Sequence, residues 1–269
     1  VIKFLIERLR DFFRVSLKAL LCGLIIIVHV VLGVVFMIFL HPDWIRRARS
    51  TSCHFLAKAA ALVLGIHVRA PHAHLPKNSG HPRLLIANHV GYVDIVLFLS
   101  QMPCVFITSQ ELGANPILGP VARMGGSYLV DRKNKFGLKN EIRDISRLLL
   151  RGFPVFLFPE ATSHDGSALL PFKRALLEAG IRSEAEVYPF CINYLKVDGQ
   201  EISFKNRDQV FYYGDAEFVS HLIGLLKTKR IEVEIVSLAA LRIKPETDSR
   251  SLCAELEQRV RAVHKSVRA

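Results

Sequence analysis

The stretch RLLIANHVGYVDIVLFLSQ, residues 83–101, decides how this chain is organised. Arg83 to Ala87 is an apolar run of strand length, and Val93 to Gln101 has the spacing of a helix. Between them lies a polar turn, Asn88-His89, with Asp94 in the first turn of the helix. A strand that feeds directly into a helix presents such groups at the carboxyl edge of a sheet. In a regular helix, positions five apart fall on different faces. With His89 before the helix and Asp94 inside it, the carboxylate can accept from one ring nitrogen. The other nitrogen is then free to take a proton from an alcohol. The spacing by itself is common: chance alone gives His-x4-Asp in about four of ten chains of this composition, so context must carry the reading.

The same alternation continues downstream. Val105 to Thr108, Ser127 to Val130, Phe153 to Phe158, Val187 to Tyr194 and Ile231 to Ser237 read as strands. Leu138 to Arg151 and Pro171 to Ala179 read as helices, and Gly113 to Pro120 is a Gly/Pro-rich stretch. Strands alternating with helices predict an α/β sheet flanked by helices. A charged helix follows from Ser249 to Val267, and Pro71 to Pro82 is a polar linker ahead of the first strand.

Upstream the character changes. The 269 residues are 51% hydrophobic with a net charge of +12. That apolar fraction is high for a purely soluble domain. Ala19 to Leu40 is free of formal charge and, as a helix, reaches roughly 33 Å, enough to cross a hydrocarbon core. His-Pro-Asp-Trp follows it where a signal peptide would carry small cleavage-site residues. Basic residues flank both ends, so the positive-inside rule leaves orientation open. A single crossing and a hairpin that dips into one leaflet, returning through Trp44 to Val68, are both compatible. The net charge suits an anionic leaflet. No basic block interleaved with aromatics argues for nucleic acid. Five scattered cysteines, without a C-x-x-C pair, read as free thiols in a reducing compartment.

Three further blocks carry chemistry. Gly125-Gly126-Ser127-Tyr128-Leu129-Val130-Asp131-Arg132 brings a guanidinium to the end of a strand, where it can clamp a phosphate or carboxylate. Phe158-Pro159-Glu160-Ala161-Thr162-Ser163 sets a carboxylate just past the most apolar strand, with Leu170-Pro171-Phe172-Lys173-Arg174 soon after. Val187-Tyr188-Pro189-Phe190 reads as core. His72, His74 and His81 lack the partners of a zinc set. Ser100, Ser109 and Ser163 lack the Gly-x-Ser-x-Gly setting of a hydrolase.

Together and in this order, the blocks over about Leu64 to Ser237 resemble the PlsC-like lysophospholipid acyltransferases. The resemblance rests on Asn-His-x4-Asp, Gly-Gly-x-x-x-Val-x-Arg, Phe-Pro-Glu-x-Thr and the late apolar strand with Pro. Asn206 to Asp215 looks like the ending of a bacterial branch. It implies an acyltransferase domain over 71–240, membrane-anchoring helices over 1–70 and a C-terminal charged helix over 241–269. His89 would be the general base and Asp94 its orienting partner. Arg132 and Glu160, with Thr162 and Lys173 beside them, would hold the acceptor headgroup. The donor would be acyl-CoA or an acyl carrier protein thioester, with no other cofactor and no metal. The acceptor would be a membrane lysophospholipid, foremost 1-acyl-sn-glycerol-3-phosphate, at the cytoplasmic face of a bacterial inner membrane. Phosphate-specific members commonly read Phe-Pro-Glu-Gly-Thr-Arg. Here Ala161 replaces the glycine and Ser163 the arginine, which keeps another lysolipid, such as lyso-ornithine lipid, as the alternative acceptor. An inactive membrane-surface lipid-binding protein is the alternative of a different class.

Overall fold

A computed structural model describes residues 2–69, 80–131 and 137–268. Arg132, His72 and His74 therefore lie outside the described residues, as does most of the Pro71–Pro82 linker. Two long helices come first, α1 (Ile2–Phe39) and α2 (Pro42–Leu64). The sheet and its helices follow: β1 (Ile66–Arg69), β2 (Arg83–Ile86), α3 (Val93–Gln101), β3 (Val105–Ser109), α4 (Gln110–Ala114), α5 (Leu118–Met124), β4 (Tyr128–Val130), α6 (Leu138–Leu150) and β5 (Val155–Leu157). The second half holds α7 (Glu178–Arg182), β6 (Glu186–Val197), β7 (Gln200–Glu201), α8 (Phe218–Lys227), β8 (Ile231–Ser237), β9 (Leu241–Arg242) and α9 (Ser249–Val263).

The main strand order is β1-β8-β6-β2-β5-β3-β4, with β7 and β9 also pairing with β6. The run β6-β2-β5-β3-β4 is parallel, while β8 runs antiparallel to β6. Alternate side chains of each central strand point to opposite faces, and both faces are covered. Leu85, Phe106, Phe156 and Phe190 pack under α2, α3 and α8. Leu84, Ile86, Val105, Val155 and Val187 pack under α6, α7 and α9. The charged C-terminal helix is thus part of the core, through buried Leu252, Leu256 and Val260.

Three boundaries differ from the sequence reading, each for a physical reason. The second N-terminal helix ends at Leu64, not near Val68. Gly65 turns the chain at φ +76°, where a Cβ would lie 2.2 Å from the Lys229 carbonyl oxygen, and only glycine adopts this turn freely. Residues 66–69 then pair in parallel with β8 and belong to the sheet. The expected helix over Pro171–Ala179 is absent. The amide of Phe172 donates to Glu257 Oε2 and that of Lys173 to Pro159 O, so helix begins only with a 3-10 turn at Ala175–Leu177. Conversely, the Gly/Pro-rich stretch holds two short helices, α4 and α5. Asn115 joins them by accepting from the amides of Ile117 and Leu118.

The helix pair packs along the α3 side of the sheet. His54 Nδ1 donates to Leu99 O at 2.6 Å, and Ser50 Oγ donates to Cys104 O. His29 Nε2 donates to Val121 O at 2.9 Å, and Lys18 Nζ reaches Thr228 O at 2.8 Å. A Cβ on Gly33 would meet Met124 Sδ at 2.7 Å, so α1 approaches α5 closely there. Residues 8–39 of α1 are long and apolar enough to cross a membrane.

Candidate active site

Parallel strands β2 and β5 are neighbours, with Ile86 opposite Leu157. The segments leaving their carboxyl ends therefore meet, and they bring His89 and Glu160 together. The His89 Nδ1 lies 2.8 Å from Asp94 Oδ2. Its side chain is 18% exposed, whereas that of Asp94 is fully buried. An ionised carboxylate accepts only, so the proton between them sits on Nδ1 and leaves Nε2 as the basic nitrogen. Among the described residues Nε2 has no hydrogen-bond partner. The ring stacks on Phe158 at 3.9 Å between centroids, with planes 11° apart.

Asp94 is held from every side. Its Oδ2 also accepts from the amides of Val90 at 2.7 Å and Gly91 at 3.1 Å, and its Oδ1 accepts from the Tyr194 hydroxyl at 2.6 Å. These donors stabilise the charged carboxylate against its burial. Burial and the adjoining Asp94 charge push the Tyr194 hydroxyl far above its ordinary pKa, so it stays protonated as a donor. Asn88 fixes the start of the turn. Its side chain accepts from Ile192 N at 2.7 Å and donates to Ile192 O at 3.0 Å, extending the β2–β6 pairing by one unit.

Glu160 is 1% exposed, and it braces the turn from below. Oε1 accepts from the His89 amide and Oε2 from the Leu170 amide, both at 2.7 Å. His164 Nε2 stands 2.9 Å from Oε2, while its Nδ1 accepts from Gly166 N, which puts the ring proton on the side of Glu160. With both oxygens engaged, Glu160 faces protein and not a headgroup. Thr162, Lys173 and Arg174 are exposed beside it, and the Lys173 amide is tied to Pro159 O at 2.7 Å. Ala161, where the family resemblance implies glycine, adopts φ +65°. Such a backbone costs an L-residue roughly 1–2 kcal/mol, partly offset in glycine by its greater freedom when unfolded. Ala161→Gly is therefore expected to raise the melting temperature by about 2 °C, measured by thermal unfolding in detergent. A lower melting temperature would contradict the left-handed turn.

Tyr194, Asn88, Phe158 and His164 have roles that sequence reasoning did not assign. For Tyr194 a signal was present. Phe190, Ile192 and Tyr194 alternate onto one face of β6, and a tyrosine at an otherwise apolar, inward position needs a partner for its hydroxyl. An apolar cavity of about 230 Å³ runs behind the dyad between the helix pair and the sheet. Its walls include Cys22, Ile26, Cys53, Tyr92, Val96 and Phe106. Among the described residues, no group of three His, Cys, Asp or Glu side chains could hold a metal ion.

A largely buried imidazole oriented by a buried carboxylate stands at the carboxyl edge of a parallel sheet, an arrangement that can take a proton from a hydroxyl. A family model described as Acyltransferase matches residues 65–193. The lyso-ornithine lipid O-acyltransferase of Rhizobium meliloti is 31% identical, over 91% of this chain and 85% of that protein. The 1-acyl-sn-glycerol-3-phosphate acyltransferase of Neisseria gonorrhoeae is 28% identical over 76% of each chain. The crystal structure of the 1-acyl-sn-glycerophosphate acyltransferase PlsC from Thermotoga maritima superposes with a TM-score of 0.64 over 95% of both chains at 17% identity, a likeness of fold. The chain belongs to the PlsC-like lysophospholipid acyltransferase family and is an acyltransferase.

Proposed function

We propose that this enzyme transfers a fatty acyl chain from a thioester, acyl-CoA or acyl carrier protein, to the hydroxyl of a lysolipid. The observation that carries the reading is His89 Nδ1 donating to an Asp94 carboxylate that also accepts from Val90 N, Gly91 N and the Tyr194 hydroxyl, with Nε2 open. His89 Nε2 takes the acceptor's hydroxyl proton as the oxygen attacks the thioester carbonyl, and Asp94 stabilises the imidazolium. Collapse of the tetrahedral intermediate breaks the C–S bond, and the imidazolium returns its proton to the leaving thiolate. The Cys191 thiol is pushed up to about 12, by burial and then by the Glu160 charge, and burial pushes Cys104 well above its ordinary value. Both thiols are thus poor nucleophiles, which favours direct transfer to the acceptor. Glu160 acts as a positioning residue that fixes the His89 backbone. The apolar cavity takes an acyl chain.

The helix pair is the membrane anchor, and it lies in one leaflet. Ile6, Phe13, Leu20, Ile27 and Val34 repeat every seven residues along α1, interleaved with Leu17, Leu24, Val31 and Ile38, and all are exposed. The opposite side of α1 is occupied by the catalytic domain from Lys18 to Gly33. Ile26, Ile27 and Val28 are exposed in succession, as are Met37, Ile38 and Phe39, so α1 offers lipid a broad apolar face while these contacts hold it against the domain. The leaflet is the cytoplasmic one, where thioester donors are made.

For the acceptor, 1-acyl-sn-glycerol-3-phosphate is the first choice, with Arg132 and Lys173 as the cations of its headgroup site. Lyso-ornithine lipid is the second reading, favoured by Ser163 in place of arginine and by the Rhizobium relative. The test is acyl-CoA with a panel of lysophosphatidate, lysophosphatidylcholine, lysophosphatidylethanolamine and lyso-ornithine lipid, with Arg132→Ala in parallel. Loss of a charge-assisted contact costs about 1.5–3 kcal/mol, so Arg132→Ala should lower lysophosphatidate turnover by about 10–100-fold. Equal or better use of lyso-ornithine lipid moves the assignment to the second reading. Thiol release that no lysolipid stimulates refutes both.

A further inference from the structure

Away from the dyad, the start of α2 carries Arg46, Arg47 and Arg49 within two turns of the hairpin tip. Arg46, Arg49 and Arg123, with Ile45, Gly126 and Ser127, line a cavity of about 260 Å³ that is open to solvent. Gly126 and Ser127 lead into the amino end of β4, whereas the dyad and Glu160 follow the carboxyl ends of strands parallel to it. The cavity therefore opens at the other edge of the sheet.

Its electrostatics are unbalanced. Among the described residues no carboxylate pairs with Arg46, Arg49 or Arg123 within 4.0 Å. Each guanidinium spends one N–H on a backbone carbonyl: Arg46 on Gly126 O at 2.7 Å, Arg49 on Gly33 O at 3.4 Å and Arg123 on Gly113 O at 2.7 Å. That leaves most of their donors unused, and Arg49 Nε is buried without a partner. Burial, together with the charges of Arg151 and Arg49, pushes Arg46 below its ordinary pKa. Like charges converging on a space with room for several waters, roughly 30 Å³ each, are stabilised by an anion with several acceptor oxygens. The surroundings indicate its source. Ile38, Phe39 and Trp44 at the hairpin tip are 67%, 76% and 64% exposed, and an exposed Trp beside arginines is the composition of a headgroup-level surface.

We propose that the Arg46–Arg49–Arg123 cavity is a phosphate site that takes the headgroup of an anionic membrane phospholipid, separate from the acceptor bound for acylation. The choice of a lipid phosphate rests on the leaflet anchoring proposed above, and the experiment separates the two. Full-length protein and an Arg49→Gln/Arg123→Gln variant are floated with vesicles of phosphatidylcholine, with and without phosphatidylglycerol. An Arg10→Gln/Lys58→Gln variant, altered at exposed positions of the same helices, controls for diffuse attraction of about fivefold per charge. The cavity variant should lose at least about tenfold more affinity for phosphatidylglycerol vesicles than the control, with binding to pure phosphatidylcholine retained by both. Equal losses in the two variants overturn the site. In a second arm, melting temperatures are followed with dihexanoyl phosphatidylglycerol, inorganic phosphate and adenosine 3′,5′-bisphosphate. A shift with the short-chain lipid that the cavity variant lacks supports the proposal. An arginine-dependent shift with the bisphosphate alone assigns the phosphate to a soluble donor and overturns it, as does no shift at all. If the parent fails to bind phosphatidylcholine vesicles, the anchoring reading falls while this second arm still decides the cavity. Arg123→Gln alone, at an exposed side chain, serves should the double variant not fold.

Discussion

His89→Ala should lower lysolipid-dependent release of free thiol from acyl-CoA by about 10²–10⁴-fold, the usual contribution of a positioned general base. A lysolipid hydroxyl is almost wholly protonated near neutrality and is a poor nucleophile until its proton is taken as it attacks. In the proposed mechanism the group that takes it is Nε2 of a ring fixed on two sides, by Asp94 through Nδ1 and by the face of Phe158. The substitution leaves the buried hydrogen bonds of the turn intact, since Val90 and Gly91 still donate to Asp94 and the residue 89 amide still donates to Glu160. The variant should therefore fold, with a near-parental melting temperature and unchanged vesicle binding. Activity within a few-fold of the parent would falsify the role of His89. A large loss accompanied by a collapsed melting temperature would point to a structural role.

Asp94→Asn should be nearly as damaging, again about 10²–10⁴-fold, for a different reason. The neutral amide fits the same space but cannot satisfy the same donors. If its oxygen faces Val90 and Gly91, its NH2 turns toward Tyr194, and the charge that stabilises the imidazolium is gone. If the amide is reversed, its NH2 opposes the backbone donors and His89 Nδ1 must accept, which puts the proton on Nε2 and removes the base. Tyr194→Phe reports on the same carboxylate from the other side. It removes the Oδ1 donor at 2.6 Å and leaves that buried carboxylate oxygen without its partner. The carboxylate then loses one of its fixed donors, and lysolipid-dependent thiol release should fall by about tenfold. In an Asp94→Asn background the tyrosine substitution should add little, since its effect runs through the carboxylate. Additive losses would assign Tyr194 to packing alone.

The sequence by itself determined the alternation of strands and helices, the long apolar N-terminal helix, and the placement of His89 and Asp94 in a strand-to-helix turn. These are local properties: side-chain periods of 2 and 3.6, and a five-residue separation spanning a turn, are written within a few residues of one another. The failures were also instructive. Pro171–Ala179 has helical composition, yet its amides are captured by Pro159 O and Glu257 Oε2 from elsewhere in the chain. Ile66 to Arg69, where the second arm was expected to end, could not declare themselves a strand without β8, whose Ile231 pairs with Ile66 from far along the chain.

Only the tertiary structure decided what surrounds the dyad. Strand order put β5 and β6 on either side of β2. That adjacency delivers Glu160 to the His89 amide, Asn88 to Ile192, and the Tyr194 hydroxyl to Asp94 across 100 residues of sequence. It also turned Glu160, a plausible headgroup ligand by sequence position, into a buried brace, and it gathered Arg123 with Arg46 and Arg49 around one cavity. The physical reason is that hydrogen bonds and charges act over a few ångströms in space. Which residues share those few ångströms is fixed by the order and register of the strands.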